Sequence, residues 1–425
     1  EGDDGRNMMA GYDGADQLMG AGGNDLLIGG AGADLIDGGS GSDIADYRRS
    51  SAGVFIDLFS SIFTGGDAEG DTLISIEKLF GSDFDDNLGG DESIYVLMGH
   101  DGDDMRFGLG GNDLLRGGAG ADMLDGGDGN DAVDYRGSES GVSINLLLNE
   151  FAGGDATGDT VIGIERIFGS HHDDNITGDD SNNTLFGYDG DDNLFGGLGN
   201  DTLRGGAGAD VLDGHDGKDT VDYRGSAAGV VVDLSSATGS ASGGDAEGDV
   251  LIAIERVTGS DFDDMLTGAN DSNILRGNDG DDMLAGLGGG DILRGGAGTD
   301  TLLGGGGSDI FEYVAFSDSQ LDGYDVIADL NANLDSIKGP SAVAARSIVQ
   351  LGTANSLDEI DIGLLLDATN FVAEGAATFT HGTGNNVRTF LSLNDGVSGF
   401  QASSDAVIEI TGFTGSIGNL EVKGL

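Results

Sequence analysis

The stretch Gly29-Gly30-Ala31-Gly32-Ala33-Asp34-Leu35-Ile36-Asp37 decides the fold of this chain. It has the form G-G-x-G-x-D-x-U-x, where U is a bulky apolar residue, and close copies lie at residues 117–125, 205–213 and 295–303. Because glycine tolerates positive φ, positions one to six predict a tight turn. Positions seven to nine predict a short strand whose middle side chain points inward. The pattern therefore predicts a parallel β-roll in which two nonapeptides form one coil.

Repeats of this nonapeptide fill most of the chain. The first array holds five units and the other three hold six each, which makes twenty-three units at residues 2–46, 81–134, 169–222 and 259–312. Position six is Asp in nineteen units, and position eight is bulky and apolar in all except the units with Ala45 and Arg106. The four units without Asp carry Asn7, Tyr95, Asn183 and Asn273. Two positions held this strictly indicate a repeat architecture rather than a biased composition.

The net charge of the chain limits the classes of partner that it can bind. With 77 Asp and Glu against 18 Lys and Arg, the formal net charge is -59, so the chain repels itself unless cations neutralise it. The position-six carboxylates offer hard oxygen ligands, which suit Ca²⁺ and not Zn²⁺. So few basic residues exclude nucleic acid as a partner. The alternative to a folded, calcium-binding roll is an acidic disordered chain, above all when calcium is absent.

Other absences in the sequence restrict the class of protein. The chain has no Cys, which excludes disulfides and thiolate metal sites, and no apolar run approaches the length of a membrane span. The sequence begins inside the repeat pattern at Glu1, so we expect a fragment or a processed piece of a longer protein.

Three inserts of similar sequence separate the arrays, at residues 47–80, 135–168 and 223–258. Each begins with Tyr-Arg, contains a short apolar strand and continues into a Gly-Gly-Asp-Ala-x-Gly-Asp turn. The super-repeat of insert and array is 88 to 90 residues, and 90 equals five coils of eighteen. A flexible linker would be rich in Ser, Pro or charge runs instead. We therefore expect two decorated coils per insert in one continuous solenoid, with separate rolls joined by hinges as the alternative.

The composition changes after residue 312. Glycine becomes rarer, the only proline (Pro340) appears, and alternating strands are predicted at residues 389–393 and 406–410, with a turn at 394–396. A short helix is predicted over residues 341–350. Because an open solenoid end exposes strand edges, we expect this tail to be a β-rich cap. The predicted divisions are residues 1–46, 47–134, 135–222, 223–312 and 313–425.

The nonapeptides resemble those of the repeats-in-toxin (RTX) family, whose members bacteria export by type I secretion. The resemblance covers residues 2–312, and in the tail residues 307–313, 325–330 and 335–337 resemble the cap and secretion region of secreted metalloproteases and alginate-epimerase modules. Leu330 and Lys338 depart from the commoner form, which has Phe and Asp there. The resemblance implies an all-β, right-handed parallel β-roll or β-helix solenoid with calcium in its glycine-rich turns, plus a C-terminal β-rich cap with a secretion signal.

In that family Ca²⁺ lies between successive turns on the same side of the roll, bound by turn carbonyls and the position-six Asp of neighbouring turns. The resemblance thus implies that Asp34 shares an ion with Asp16, one coil away, and not with the adjacent Asp25. The implied metal ligands are Asp16, Asp25, Asp34, Asp43, Asp86, Asp104, Asp113, Asp122, Asp131, Asp174, Asp192, Asp201, Asp210, Asp219, Asp264, Asp282, Asp291, Asp300 and Asp309. Sites at Tyr95 and at the three Asn are expected to be weak, since a phenol is a poor calcium ligand and an amide brings no charge. In the insert turns, Asp67 and Asp71 either hold further ions or form a solvated acidic turn.

The sequence contains no catalytic motif that we recognise. The histidines (His100, His171, His172, His215 and His381) form no H-E-x-x-H pair, and no G-x-S-x-G elbow is present. We therefore expect a protein that is not an enzyme, with Ca²⁺ as its only cofactor. Arginines at position nine, such as Arg116, Arg276 and Arg294, are expected to pair with the acidic surface, with a carbohydrate-facing role as the alternative.

These observations favour a secreted or cell-surface structural protein, of the matrix, surface-layer or adhesin type, that folds on meeting extracellular calcium. The alternative is the non-catalytic C-terminal part of a secreted protease, lipase or polysaccharide epimerase whose catalytic domain precedes it. Expected partners are calcium, the type I secretion machinery during export, and either a cell-surface polysaccharide or further copies of the chain.

Overall fold

Strands make up nearly all of the regular secondary structure in this computed structural model, which describes residues 1–339, 348–358, 362, 364–366, 376–383, 386–395 and 400–424. By its internal contacts the chain divides into two units, one of residues 1–205 with 214–217 and the other of residues 206–213 with 218–425. The all-β solenoid predicted from the sequence is confirmed, whereas the five predicted divisions stay a prediction. No helix among the described residues has the length and hydrophobicity that a membrane crossing requires.

Successive strands of each array alternate between two parallel sheets. Pairing within a sheet joins residues eighteen apart, as Leu97 pairs with Leu115 and Leu275 with Leu293, which confirms the predicted coil of two nonapeptides. Because side chains alternate between the faces of a strand, the position-eight residues all point into the roll. Leu97, Leu115, Leu275 and Leu293 are 0% exposed, so these stacked residues are the core.

The first unit contains two sheet faces and short strands in the turns. The strands of the first face are Met8–Asp13, Leu26–Ala31, Ile44–Asp46, Lys78–Phe80, Val96–Asp101, Leu114–Ala119, Ala132–Asp134, Arg166–Phe168 and Thr184–Asp189. Those of the other face are Gln17–Met19, Leu35–Asp37, Phe55–Asp57, Ile62–Thr64, Thr72–Ile74, Asn87–Gly89, Met105–Phe107, Met123–Asp125, Ser143–Asn145, Glu150–Ala152, Thr160–Ile162, Asn175–Thr177 and Asn193–Gly199. The turn strands are Gly22–Gly23, Ser40–Gly41, Gly110–Gly111 and Asp128–Gly129, and the strands Thr202–Ala207 and Val211–Gly217 contain residues of both units.

The second unit repeats this arrangement and adds the tail. The strands of its first face are Thr220–Asp222, Arg256–Thr258, Ile274–Asp279, Ile292–Ala297, Ile310–Glu312, Ser336–Gly339 and Glu421–Gly424. Those of the other face are Val231–Asp233, Gly239–Ser242, Val250–Ile252, Met265–Thr267, Met283–Ala285, Thr301–Leu303, Asp325–Ile327, Ile348–Ala354, Ala376–His381, Arg388–Leu393 and Ala406–Glu409, with turn strands Gly288–Gly289 and Gly306–Gly307. Short 3-10 helices in the two units are Gly66–Ala68, Gly154–Ala156, Gly244–Ala246, Phe316–Asp318 and Ile417–Asn419.

Each insert continues the roll through its own unit. In the first insert, strand Lys78–Phe80 pairs in parallel with Ile44–Asp46 before it and with Val96–Asp101 after it. The other two inserts repeat this with Arg166–Phe168 and Arg256–Thr258. The predicted continuity through the inserts is therefore confirmed within each unit.

The prediction that an insert forms two coils is wrong, because the insert adds a single strand to the first face. On the other face the first insert makes three strands. Phe55–Asp57 pairs with the following array, Thr72–Ile74 pairs with the preceding one, and Ile62–Thr64 lies antiparallel to Phe55–Asp57. The prediction of five coils of eighteen residues assigned the residues of this antiparallel hairpin to a further coil.

The tail extends both faces of the roll and then closes them. Asp325–Ile327 pairs with Thr301–Leu303 of the last array, and Ser336–Gly339 pairs with Ile310–Glu312. Beyond these strands lies a separate buried cluster of Leu321, Ala354, Ile362, Leu366, Ala377, Phe379, Phe390, Phe400 and Val407. The tail thus has its own core and covers the last coil, as a cap requires.

Two local predictions in the tail fall partly outside the described residues. The predicted helix over residues 341–350 lies outside them except for 348–350, which begin the strand Ile348–Ala354 and are therefore not helical. The predicted turn at residues 394–396 includes residue 396, which also lies outside them. The two predicted tail strands are confirmed as Arg388–Leu393 and Ala406–Glu409, which pair antiparallel.

Candidate calcium sites

Hydrogen bonds join the position-six residues of successive coils into rows. The backbone N–H of Asp16 donates to Oδ1 of Asp34 at 2.8 Å, and that of Asp25 donates to Oδ1 of Asp43 at 2.7 Å. The same bond joins Asp86 to Asp104, Asp104 to Asp122, Asp113 to Asp131, Asp174 to Asp192, Asp264 to Asp282, Asp282 to Asp300, and Asp291 to Asp309. The structure therefore brings Asp34 to Asp16 and not to Asp25, while the ion that they are predicted to share stays a prediction.

The second carboxylate oxygen of these residues is the feature that calls for a cation. Oδ2 is buried and accepts no hydrogen bond from any described residue in Asp16, Asp25, Asp34, Asp43, Asp113, Asp122, Asp131, Asp282, Asp291, Asp300 and Asp309. Burial of an ionised carboxylate without compensation is costly, and stacked neighbours of the same charge add to the cost. Each row therefore needs bound cations or bound protons.

The first glycine of the nonapeptide leaves space beside that oxygen. A Cβ on Gly11 would lie 2.7 Å from Oδ2 of Asp16 and 2.6 Å from the carbonyl oxygen of Gly29 in the next coil. Oxygens from two successive turns thus face one point, which only glycine keeps open. Ca²⁺ accepts about six to eight oxygen ligands at about 2.3–2.6 Å in flexible geometry, so this donor set fits it.

Side chains alone do not complete such a site. Among the described residues, no three His, Cys, Asp or Glu side chains lie together as a metal site. The turn carbonyls must therefore supply the remaining ligands, which agrees with the predicted mixture of carboxylate and carbonyl oxygens.

Burial changes the acidity of the row carboxylates. It raises the pKa of Asp282 to about 8 and that of Asp300 to about 7. It raises the pKa of Asp113 and that of Asp291 to about 6, and in each case an adjacent carboxylate of the row adds a smaller increase. Without an ion, protons would therefore occupy some of these groups near neutral pH.

In three of the arrays, the first aspartate of one row accepts hydrogen bonds from a serine of its own turn. Oδ2 of Asp86 accepts from the backbone N–H of Ser82 at 2.6 Å, and Oδ1 accepts from the Ser82 hydroxyl at 2.8 Å. Asp174 and Asp264 have the same bonds with Ser170 and Ser260. These three predicted ligands thus differ from the others, because their own turn already compensates both oxygens.

The four exceptions to Asp at position six begin the other row. They donate a backbone N–H to the next coil in the pairs Asn7 to Asp25, Tyr95 to Asp113, Asn183 to Asp201, and Asn273 to Asp291. The side-chain oxygen of each Asn accepts from a backbone N–H of its own turn, at Asp3, Asp179 and Ala269. The exceptions are therefore the first members of their rows, and in the three Asn the side-chain oxygen is already occupied within its own turn.

At its other end, one row stops on a carboxylate that a tyrosine caps. The N–H of Asp34 donates to Oδ1 of Asp71 at 2.8 Å, and the Tyr47 hydroxyl donates to Oδ2 of Asp71 at 2.7 Å. Tyr135 caps Asp159 and Tyr223 caps Asp249 in the same way. Burial, and then Asp71, raise the pKa of Tyr47 well above its usual value, so the phenol remains a donor. Both oxygens of Asp71 are satisfied without a metal, which favours the ion-free alternative for this insert turn.

Three ends of the other row and two cap residues were missed in the sequence. Glu77, Glu165 and Glu255 accept the N–H of Asp43, Asp131 and Asp219. In the cap, Asp300 donates to Asp325 at 2.9 Å and Asp309 donates to Asp335 at 3.1 Å. Asp325 ends its row as Asp71 does, since burial raises the pKa of Asp325 to about 9 and a hydrogen bond with Tyr313 opposes that increase. These spacings of 25 and 26 residues hide the continuation from a search at eighteen.

The comparisons with known proteins agree with this geometry. A family model described as RTX calcium-binding nonapeptide repeat (4 copies) matches residues 1–45, 98–133, 168–203, 195–225, 258–293, 276–311 and 286–318. A search of curated proteins gives no match. The matched stretches lie in the arrays that carry the rows of aspartates.

Proposed function

The chain belongs, through its four arrays, to the family of RTX calcium-binding nonapeptide repeat proteins, and on this premise we propose that it is a structural protein of a cell surface or extracellular matrix, without an active site of its own. RTX repeats bind calcium, and proteins that carry them are typically secreted. The observation that carries the proposal is the set of rows in which buried Oδ2 atoms lack a partner.

Calcium has a specific part in this proposal. Each ion would be held by a position-six Asp and turn carbonyls of successive coils, and it would supply the positive charge that the stacked carboxylates lack. The chain itself positions the ligands, since the N–H of one coil fixes Oδ1 of the next and leaves Oδ2 free to bind. Extracellular calcium of about 10⁻³ M is sufficient for weak extracellular modules, so folding would follow export.

The tail supports the export step of the proposal. A chain that stays unfolded in a calcium-poor cytosol can pass through a type I secretion machinery, and the tail is the segment that resembles the secretion region of such proteins. Outside the cell, the tail strands Asp325–Ile327 and Ser336–Gly339 would complete the roll by pairing with its last coil.

The repetition of the inserts supports a structural role. Each insert adds one strand to the first face, and Tyr47, Tyr135 and Tyr223 make the same bond to an aspartate in each. A module of nearly constant length that repeats the same tyrosine–aspartate contact suits a spacer or lattice element better than a single binding pocket.

A cluster of arginines on the second unit is the candidate contact surface. Arg276 and Arg294 pair in register on neighbouring strands, and Arg256 lies one strand away. Among the described residues, no carboxylate forms a salt bridge with these three, because Glu312 pairs with Lys338 instead. Burial, and then Arg294, lower the pKa of Arg276, so these like charges oppose one another. In an acidic chain this arrangement favours an acidic external partner, and we propose an anionic polysaccharide.

Binding to an immobilised acidic polysaccharide in calcium tests this role. The double variant Arg276→Ser and Arg294→Ser is expected to lose most of the binding, roughly tenfold or more, since two charged contacts are removed. The control variant Arg6→Ser and Arg49→Ser removes the same charge at two exposed positions and should bind like the unchanged chain. Equal binding by both variants, or no binding by the unchanged chain, would contradict the proposed partner.

A further inference from the structure

One arginine lies in the core of the roll. Arg106 occupies position eight, where it pairs in register between Leu88 and Leu124, and its side chain is 0% exposed. A buried guanidinium is costly unless charged or polar partners surround it. Its contacts therefore have to explain why the position is not another leucine.

The guanidinium of Arg106 reaches the row of aspartates. Nη2 donates to Oδ2 of Asp104 at 2.6 Å and to the carbonyl oxygen of Gly117 at 3.2 Å. Nη1 lies 3.5 Å from Oδ1 of Asp122. The cation thus touches a carboxylate of its own coil and both a carbonyl and a carboxylate of the next coil.

The guanidinium occupies the space beside the position-six Oδ2 that the first glycine of the nonapeptide leaves open in other turns. Nη2 lies almost where a Cβ on Gly99 would be, next to Oδ2 of Asp104. In the equivalent coil of the last array, a Cβ on Gly277 would face Oδ2 of Asp282 and the carbonyl oxygen of Gly295, which lies at 2.7 Å from it. That coil has Leu284 where the second array has Arg106, and its Asp282 Oδ2 has no partner.

We propose that the guanidinium of Arg106 is a built-in cation that takes the place of calcium between the turns of Asp104 and Asp122. The inference rests on calcium binding by the other turns, as proposed above. It changes the predicted role of Asp104 from calcium ligand to partner of an arginine. The oxygens that would bind the ion are the same ones that Nη2 contacts, so ion and guanidinium exclude each other.

The consequence concerns the order of folding. A tethered cation is present at every calcium concentration, whereas the other turns wait for ions. The coil around Arg106 is therefore the part of the second array that stays folded longest as calcium is withdrawn. When calcium returns, this coil is the first folded structure on which the neighbouring coils can stack.

Exchange of the two core residues tests the proposal on the full chain, with bound calcium counted by native mass spectrometry. Arg106→Leu copies the coil of Leu284 and is expected to bind one more calcium ion than the unchanged chain. Leu284→Arg makes the reciprocal change and is expected to bind one fewer. Hydrogen exchange in chelator should show lost protection at residues 105–107 in Arg106→Leu, because both Asp104 and Asp122 then lack a cation.

Each other outcome overturns the proposal. If the Arg106→Leu chain folds in calcium with an unchanged ion count, or fails to fold in calcium, then the site between the turns of Asp104 and Asp122 does not bind calcium. An unchanged count in folded Leu284→Arg does the same. If the unchanged chain itself binds no calcium, the proposed function fails as a whole, which is a distinguishable result.

Discussion

Removal of calcium with a chelator at neutral pH is expected to abolish most of the β-sheet circular dichroism signal, and addition of calcium should restore it. The roll buries Oδ2 of Asp34, Asp291 and their equivalents without a hydrogen-bond partner, so an ion-free roll carries rows of uncompensated charge. Its core is one stack of leucine-sized residues between two faces, which is too thin to offset both that charge and the conformational entropy of the chain.

Magnesium provides the control for this experiment. Mg²⁺ demands nearly octahedral geometry at about 2.0–2.1 Å and dehydrates reluctantly, so turn carbonyls and one carboxylate suit it poorly. Equal concentrations of magnesium should therefore leave the signal low. A β-sheet signal that persists fully in chelator, or that magnesium restores as well as calcium, would contradict calcium-dependent folding.

Acid is expected to replace part of the calcium. Burial raises the pKa of Asp282 to about 8, of Asp300 to about 7 and of Asp122 to about 6, against a value of 3.8 for an unperturbed Asp. Because the folded-state pKa lies above the unfolded one, the folded chain holds extra protons between the two values. The free energy of unfolding without calcium therefore rises as the pH falls through about 8 to 6, and levels off near 4.

Circular dichroism in chelator over a series of pH values measures this effect, and we expect partial recovery of the β-sheet signal by about pH 5. High salt at about pH 8 is the control, since salt screens exposed charges and leaves buried carboxylates almost unaffected. Recovery in salt alone would assign the effect to overall repulsion. A signal that is absent at pH 5 would contradict the role of the buried carboxylates.

The regular part of this fold could be predicted from the sequence because each nonapeptide contains the residues that specify its turn, its core position and its place in the row. Glycine at positions such as Gly32, where φ is +147° and a Cβ would collide with the carbonyl oxygen of Gly14, marks the turn. The leucine at position eight marks the core, and Asp at position six marks the row. Eighteen-residue register follows from these three signals alone, as the pairing of Leu97 with Leu115 confirms.

The row ends could not be predicted, because they depend on contacts between residues that the repeat does not space regularly. Tyr47 reaches Asp71 across 24 residues, and Asp43 reaches Glu77 across 34. The sequence does mark Arg106 as an exception, but nothing in it places the guanidinium on Asp104. The antiparallel hairpin of the insert was missed for a related reason, since its length mimics a coil.

The most direct test of the calcium rows is an anomalous difference map from crystals grown in calcium. We expect peaks between successive turns within each array, as between Asp16 and Asp34 or between Asp282 and Asp300. We expect no peak beside Asp71, which Tyr47 caps. Rows without peaks outside the turns of Asp104 and Asp122, or calcium at the capped carboxylate in place of the rows, would contradict the proposed calcium rows.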